Sequence, residues 1–335
     1  MHRLEGKNRI PIAHLPTPLE FLPRLSEHLG GVRIYVKRDD QTGLALGGNK
    51  TRKLEFLLAD AVAQGADMVI TAGAMQSNHC RQTAAAAARV GLGCALVLGG
   101  APPEIASGNL LLDQLLGAEI FWSGEYRRGE RLQEIADQLR AAGRRPYLLP
   151  YGGSNAIGAA SFAYAFQELR DQLETAGLAA NRVVVASSSG GTQAGLQVGA
   201  RAAGYEGEIV GIRIDKGEAG DAPYREQMAG LAEAAANYLD LVLGFDPREF
   251  VLREEFMGEG YGVVGTLERE AIRLAGRLEG LLLDPVYTGR AFGGLLALVR
   301  SGEIGRDETV VFWHTGGTPA LFAYASDLVG RQGAA

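Results

Sequence analysis

The chain of 335 residues contains little that would indicate a membrane, a nucleic acid or a metal. It has only two cysteines, Cys80 and Cys94, whose spacing matches no metal-ligand pattern, so buried free thiols and no metal site are expected. No apolar run approaches the roughly 18 residues of a membrane helix. Residues 1–10 are charged and do not resemble a signal peptide. Both observations predict a cytoplasmic protein. Basic residues are not clustered, and 33 Lys and Arg against 39 Asp and Glu give a charge of −6, which disfavours a nucleic-acid partner. A small-molecule ligand is therefore favoured.

Glycine is abundant, with 47 residues, and short apolar runs bounded by glycine or polar residues alternate with helical segments. This alternation predicts an α/β fold with a parallel sheet, and ligands of such sheets bind beyond the carboxyl ends of the strands. The predicted strands are Ile34 to Lys37, Met68 to Ala72, Ala95 to Leu98, Val183 to Ala186, Ile209 to Ile214 and Val310 to Trp313. The predicted helices are Thr51 to Gln64, Asn78 to Val90, Asn109 to Leu116, Arg131 to Ala142, Ala156 to Ala176 and Gln193 to Ala203.

The first candidate loop runs from Gly47 to Glu55 and places Lys50 in the first turn of a helix. A lysine is mildly unfavourable at the positive end of the helix dipole, although a solvated lysine is a common outcome. The segment is not a P-loop, because Asn49 stands where the P-loop lysine belongs. The alternative is a lysine whose pKa is lowered by burial, which makes it a nucleophilic amine able to form a Schiff base.

Four polar residues, Gln76, Ser77, Asn78 and His79, follow the predicted strand that ends at Ala72 and begin an alanine-rich helix. Ser77 or Asn78 could simply cap the helix. A hydroxyl, an amide and free backbone N–H groups at a helix start also suit a carboxylate or a phenolate oxygen. A lone histidine there is more often a structural hydrogen-bonding residue than a catalyst, so His79 is given a supporting role.

A third loop, from Ser187 to Gly195, follows an apolar strand directly and contains Ser189, Gly190, Gly191 and Thr192. Its small residues and the helix after it could bind a phosphate through backbone N–H groups and hydroxyls. A tight turn is the structural alternative. The loop lacks the G-x-G-x-x-G pattern of dinucleotide sites, so a monophosphate is favoured.

Three late residues stand beside glycines: Tyr261, Tyr287 and Thr315. Each tyrosine alone could be an ordinary half-buried aromatic residue. Thr315 follows a β-rich run and precedes Gly316 and Gly317, which predicts a hydroxyl at the same sheet edge as the other loops.

Taken together, these segments resemble the 1-aminocyclopropane-1-carboxylate deaminase and D-cysteine desulfhydrase family over nearly the whole chain. The matching segments are His14 to Glu20, Tyr35 to Asp40, Gly47 to Glu55, Gln76 to Asn78, Ser187 to Gly195, Asp284 to Tyr287 and His314 to Gly317. The resemblance implies pyridoxal 5'-phosphate as cofactor, a small amino acid as substrate and a homodimer. It also implies two three-layer αβα lobes of the tryptophan-synthase-β-like type (fold type II), with a large cofactor-binding domain over 1–50 and 155–335 and a smaller inserted domain over 51–154.

The resemblance also implies a role for each site residue. Lys50 is expected to carry the cofactor, beside Asn49; Ser77, Tyr261 and Tyr287 are expected to be catalytic with it. Ser189, Gly190, Gly191 and Thr192 are expected to hold the phosphate, Asn78 the ring oxygen and Thr315 the ring nitrogen. The substrate is expected to contact Ser77, Asn78, His79, Tyr261 and Tyr287.

Within the family, the deaminase branch is expected to have a glutamate directly after the tyrosine of the Asp-Pro-Val-Tyr motif, where this chain has Thr288. The threonine in place of a glutamate favours β-elimination. The leading substrate is D-cysteine, and the expected products are pyruvate, sulfide and ammonia. L-cysteate, with release of sulfite, and 1-aminocyclopropane-1-carboxylate remain alternatives. A nucleotide-dependent enzyme and a non-catalytic amino-acid-binding protein are the hypotheses from other classes.

Overall fold

A computed structural model describes Leu4, residues 6–216 and residues 222–329, and over this part of the chain the backbone forms ten strands and twelve α-helices. The strands are β1 Leu19–Phe21, β2 Arg33–Arg38, β3 Met68–Ala74, β4 Gly93–Gly99, β5 Glu119–Trp122, β6 Pro146–Leu148, β7 Arg182–Ser187, β8 Glu208–Arg213, β9 Val251–Arg253 and β10 Thr309–His314. The helices are α1 Pro23–His28, α2 Lys50–Ala63, α3 Asn78–Val90, α4 Gly108–Leu115, α5 Leu132–Ala141, α6 Ala156–Thr175, α7 Gly191–Ala203, α8 Tyr224–Tyr238, α9 Thr266–Glu279, α10 Thr288–Arg300, α11 Ala320–Ala323 and α12 Ala325–Val329.

The strands form two separate sheets. The larger sheet has the order β1-β2-β10-β7-β8-β9, and its pairs are parallel except for β1 against β2. The smaller sheet has the order β5-β4-β3-β6 and is parallel throughout. Because parallel strands need helical crossovers, both sheets are covered by helices, and the predicted α/β architecture is confirmed.

Both sheets are buried on their two faces by separate apolar clusters. On the larger sheet, one cluster joins Val184 and Phe312 to α9 and α10, and another joins Val183 and Trp313 to α6 and α7. On the smaller sheet, one cluster packs α2, α3 and α4, and the other packs α5. These layers explain why the strands are apolar along nearly their whole length.

All twelve predicted elements occur within a few residues of their predicted bounds, and α3 begins and ends where it was predicted. The strands of the smaller sheet lie between residues 68 and 148, while the division of the chain at 50/51 and 154/155 stays a prediction. None of the helices in the described part of the chain combines the length and the apolar character needed to cross a bilayer.

Candidate active site

Lys50 is the first residue of α2, and two glycines set the turn that precedes it. Gly47 has φ +66°, and a Cβ there would lie 2.0 Å from the carbonyl oxygen of Asp40, so no other residue fits. The backbone N–H of Asn49 donates to the carbonyl oxygen of Thr315 over 3.0 Å, which joins the start of α2 to the end of β10. This turn therefore fixes Lys50 at the carboxyl edge of the larger sheet.

The Lys50 amine is partly buried and donates to the carbonyl oxygen of Gly152 over 3.1 Å. Burial lowers its pKa to about 8, while a hydrogen bond with Lys53 acts in the opposite direction. A lysine with this pKa is neutral in roughly one tenth of the molecules at pH 7, far more than an ordinary lysine, and the neutral form is the nucleophilic one.

A cavity opens beside Lys50, and most of the predicted site residues line it. Tyr151, Gly152, Ala186, Ser187, Ser188 and Gln193 also line it, although they were not among the predicted site residues. The predicted residues in its wall are Asn49, Lys50, Ser77, Asn78, His79, Ser189, Gly190, Thr192, Tyr287 and Thr315. Two predicted residues do not line it: Gly191 begins α7 behind the loop, and Tyr261 lies behind Tyr287.

The Ser-Gly loop after β7 leads directly into α7, whose first N–H groups lack helical partners. Gly190 has φ +81°, which brings the loop over the start of the helix. The Asn49 side-chain amide donates to Thr192 Oγ1 over 3.0 Å, and Ser154 Oγ lies 2.8 Å from Ser189 Oγ. The loop is thus held on both sides, and Ser189, Gly190 and Thr192 line one cavity at the start of a helix, which is an arrangement that suits a phosphate.

Lys53 also lies at this site, although the sequence motifs did not predict a role for it. Its buried amine donates to Gly152 O and to Ser154 Oγ, each over 3.0 Å, and it lies 2.8 Å from where a Cβ on Gly191 would be. Burial and the nearby Lys50 charge lower its pKa well below the ordinary value. Its spacing of three residues from Lys50 on one helix was the available signal, because such residues share a helix face.

The start of α3 combines a cap with exposed donors. Ser77 Oγ accepts from the N–H of Cys80 over 3.2 Å, so the N-cap interpretation is correct. Asn78 Oδ1 accepts from the Asn109 amide over 2.8 Å, which leaves the Asn78 NH₂ group turned toward Gly317. A donor at this place suits the ring oxygen that the resemblance assigns to Asn78.

His79 is buried and neutral. Its Nε2 lies 3.0 Å from Thr71 Oγ1, which itself donates to the carbonyl oxygen of Leu149 over 3.0 Å. Because the threonine hydroxyl has one hydrogen, His79 Nε2 is the protonated nitrogen. Burial lowers the pKa of His79 well below its usual value, and the charges of Lys50 and Lys53 act in the same direction. His79 therefore supports the site as a neutral hydrogen-bonding group.

Tyr261 and Tyr287 form a pair, of which Tyr287 lines the cavity. Their hydroxyls are 2.7 Å apart and their rings meet edge to face with centroids 5.8 Å apart. Burial raises the pKa of both phenols well above the ordinary value. Both hydroxyls consequently stay protonated at neutral pH, and one of them can donate to a third group.

Thr315 and Thr288 have different surroundings. Thr315 lines the cavity, and its carbonyl oxygen accepts from the backbone N–H of Asn49. Thr288 is buried at the start of α10, where its hydroxyl donates to Asp284 Oδ1 over 2.8 Å. Asp284 also accepts from the N–H groups of Val286, Tyr287 and Thr288, so Thr288 belongs to a helix start that positions Tyr287.

The residues of the cavity fit pyridoxal 5'-phosphate. Lys50 would supply an amine of lowered pKa, the loop before α7 would hold the phosphate, and the Thr315 hydroxyl in the cavity wall would face the ring nitrogen. Gly152 has φ +65°, and a Cβ there would lie 2.3 Å from Ser189 Oγ and 3.4 Å from Lys50 Nζ. A wall that tolerates only glycine is a feature of a site where a ligand approaches the backbone closely.

The fold and this cavity are those of a pyridoxal-phosphate enzyme of fold type II, and comparisons with known proteins agree. The model of the pyridoxal-phosphate dependent enzyme family matches residues 10–316. The D-cysteine desulfhydrase of Klebsiella pneumoniae (strain 342) is 44% identical over 322 residues, which cover 94% of this chain and 96% of the relative. The chain therefore belongs to the 1-aminocyclopropane-1-carboxylate deaminase and D-cysteine desulfhydrase family of pyridoxal-phosphate dependent enzymes, and the predicted cofactor is confirmed.

Solved structures give the same result. A crystal structure of an ACC deaminase homologue superimposes with a TM-score of 0.87 at 39% identity and covers 96% of this chain and 95% of that chain. The processed form of threonine deaminase isoform 2 from Solanum lycopersicum superimposes with a TM-score of 0.63 at 18% identity, covering 91% of this chain and 80% of that one. The second likeness concerns the fold alone.

Proposed function

We propose that the chain is a pyridoxal-phosphate-dependent lyase that converts D-cysteine and water to pyruvate, hydrogen sulfide and ammonia. The 44% identity to a D-cysteine desulfhydrase over 94% of the chain supports this reaction. In this proposal the Cα–H and Cβ–S bonds break first, and the sulfur leaves as sulfide. Water then attacks the α-carbon and the Cα–N bond breaks, which gives pyruvate and ammonia.

β-Elimination is chosen as the reaction because of the polarity of the cavity wall. Among the described residues, the wall contains no Asp or Glu, and Thr315 is one of its hydroxyls. The proposal takes Thr315 as the partner of the ring nitrogen. A neutral partner does not favour a protonated ring as a carboxylate would, so the cofactor is a weaker electron sink. Elimination suits such a cofactor, because the electrons released at the α-carbon leave with the β-substituent.

Three parts of the cavity handle the substrate in this proposal. The N–H groups at the start of α3, beside Ser77 and Asn78, bind the α-carboxylate. The neutral Lys50 amine accepts a proton at Nζ, and its depressed pKa makes this possible near neutral pH. The hydroxyl pair of Tyr261 and Tyr287 supplies a proton to the departing sulfur. The bound cofactor withdraws electrons from the α-carbon.

The test is a parallel assay of pyruvate, sulfide and sulfite with D-cysteine, L-cysteine, L-cysteate and 1-aminocyclopropane-1-carboxylate. Pyruvate and sulfide from D-cysteine are the expected products. Lys50→Ala should lower the rate by at least roughly 10³-fold and remove the visible absorbance of the lysine-bound cofactor. Lys7→Ala is the matched control, because Lys7 lies at the surface in an ion pair with Asp240. Sulfite from L-cysteate without sulfide from D-cysteine, or 2-oxobutyrate from the cyclopropane acid, would reject the proposed substrate.

A homodimer in the cytoplasm belongs to the same proposal. Leu115 on α4 and Phe322 on α11 are exposed on two helices that pack together, which supports burial against a second copy. The two cysteines are buried and unpaired, which suits a reducing compartment. Light scattering after gel filtration should give twice the mass of the chain. Phe322→Glu should yield monomers, whereas Val242→Glu, at another exposed apolar residue, should not.

A further inference from the structure

Two side-chain amides, those of Gln76 and Asn109, join the start of α4 to the start of α3. Gln76 Oε1 accepts from the backbone N–H of Asn109 over 2.8 Å, and Gln76 Nε2 donates to the carbonyl oxygen of Ser107 over 3.0 Å. Gly108 lies between these two partners with φ +58°, and a Cβ there would lie 2.4 Å from Gln76 Oε1. The two helix starts therefore meet at a junction whose close approach requires a glycine at position 108.

The Asn109 side chain is fully buried at this junction and serves there as a donor. Its Nδ2 donates to the carbonyl oxygen of Gln76 over 2.9 Å and to Asn78 Oδ1 over 2.8 Å. Its Oδ1 is buried and has no hydrogen-bond partner among the described residues. The two hydrogen bonds that fix this side chain are thus both made by its NH₂ group, and one of them reaches a residue of the cavity wall.

The orientation of the Asn109 amide determines that of the Asn78 amide. A backbone carbonyl can only accept, so the Asn109 atom that faces the carbonyl oxygen of Gln76 is the nitrogen. The same nitrogen faces Asn78, so the Asn78 atom opposite it is the oxygen, since the reverse would place two NH₂ groups against each other. The Asn78 NH₂ group consequently points away from Asn109, and its nitrogen lies 2.7 Å from where a Cβ on Gly317 would be.

We infer that Asn109 is a positioning residue, which keeps the Asn78 NH₂ group available as the donor to the ring oxygen of the cofactor. This inference rests on the cofactor site of the proposed function and is independent of which amino acid is the substrate. A donor that bonds to an anionic oxygen stabilises the anion and lowers the pKa of the proton held there. Asn109 thereby affects the protonation of the lysine-bound cofactor through Asn78, without contacting the cofactor itself.

The test is a pH titration of the visible absorbance of the cofactor-loaded enzyme, without substrate. Asn78→Ala removes the donor and should raise the pKa of the absorbance change by roughly one to two pH units. Asn109→Ala should raise this pKa by roughly 0.5 to 1, because the Asn78 amide is no longer held in one orientation. The double variant should have the pKa of Asn78→Ala, since Asn109 acts through Asn78. Asn109→Asp has nearly the same size but places an oxygen against Asn78 Oδ1, so it should also raise the pKa and serves if Asn109→Ala does not fold.

Gln76→Ala is the matched control, because it removes the two side-chain hydrogen bonds of the junction but keeps the carbonyl oxygen to which Asn109 donates. It should lower the thermal unfolding temperature, as Asn109→Ala does, with little change in the pKa. An equal pKa shift in Gln76→Ala would overturn the inference, since loosening of the junction would then be a sufficient cause.

Three other results would overturn the inference as well. They are an unchanged pKa in Asn78→Ala, an unchanged pKa in the Asn109 variants, and a double variant in which the two shifts add. The assay with D-cysteine is read separately from the titration. An enzyme that forms no pyruvate from D-cysteine is not the proposed lyase, whereas the titration contains no substrate and still tests the role of Asn109.

Discussion

Lys50 and Lys53 donate hydrogen bonds to one acceptor, the carbonyl oxygen of Gly152, over 3.1 and 3.0 Å. Two ammonium groups this close repel each other, and burial adds to the cost of charging them. Lys53, the more deeply buried of the two, has the more strongly lowered pKa, so at neutral pH a neutral Lys53 can accept from the Lys50 side chain. The shared carbonyl thus couples Lys50 to Lys53, which lies beside the start of α7.

The rate at which the apoenzyme takes up pyridoxal 5'-phosphate should follow the neutral fraction of Lys50. A lysine of lowered pKa loses its proton at lower pH, so the rate should rise through about pH 8 and level off above it. The measurement is the growth of the visible absorbance after cofactor is mixed with apoenzyme at a series of pH values. A rate that still rises steeply beyond pH 10 would show an ordinary lysine and contradict the prediction.

Gly152→Ala should abolish cofactor binding, whereas Gly177→Ala should not. Both glycines have φ +65°, so the left-handed backbone conformation destabilises an alanine at either position by roughly 1–2 kcal/mol. Only at Gly152 does the added Cβ meet other atoms, 2.3 Å from Ser189 Oγ and 3.4 Å from Lys50 Nζ. Measurements of cofactor affinity and of the thermal unfolding temperature separate the clash of the added Cβ from the backbone strain. Equal losses in both variants would mean that backbone strain alone explains the result.

The sequence predicted the strand-end loops well because each carries its signal locally. The polar run at Ser77 and the glycines before Thr192 follow apolar strands, and parallel strands bring their carboxyl ends to one edge. For Lys53 the only sequence signal was its spacing of three residues from Lys50. Its contact with Gly152, 99 residues away, is one that only the packed fold creates. Strands of three residues, such as β1 and β9, were missed because they are too short for a periodic pattern.

Tyr261→Phe and Tyr287→Phe should lower kcat by similar factors, about 10²-fold or more, and the double variant should lose little beyond either one. Their hydroxyls are 2.7 Å apart, so removing one leaves the other without its partner. Steady-state pyruvate formation from D-cysteine measures the effect. Tyr205→Phe is the control, because Tyr205 is remote from the cavity and packs against Phe166. Additive losses would show that the two phenols act independently.

Thr288→Glu should destabilise the protein without creating cyclopropane-opening activity. The family pattern suggests that a glutamate here would reach the ring nitrogen, but Thr288 is fully buried and its hydroxyl bonds to Asp284, whose two oxygens already accept four hydrogen bonds. A second carboxylate against Asp284 would bury like charges together and remove a donor, at a cost of roughly 2–4 kcal/mol.

Thr288→Ser, which keeps the hydroxyl, provides the comparison. It should retain nearly all the stability and the cofactor absorbance, whereas Thr288→Glu should unfold at a lower temperature and release no 2-oxobutyrate from 1-aminocyclopropane-1-carboxylate. If Thr288→Glu folded with unchanged stability and opened the cyclopropane ring, the residue after Tyr287 would by itself decide the reaction. The hydrogen bonds at Asp284 argue against that outcome, because they fix the start of α10 and with it the position of the Tyr287 side chain.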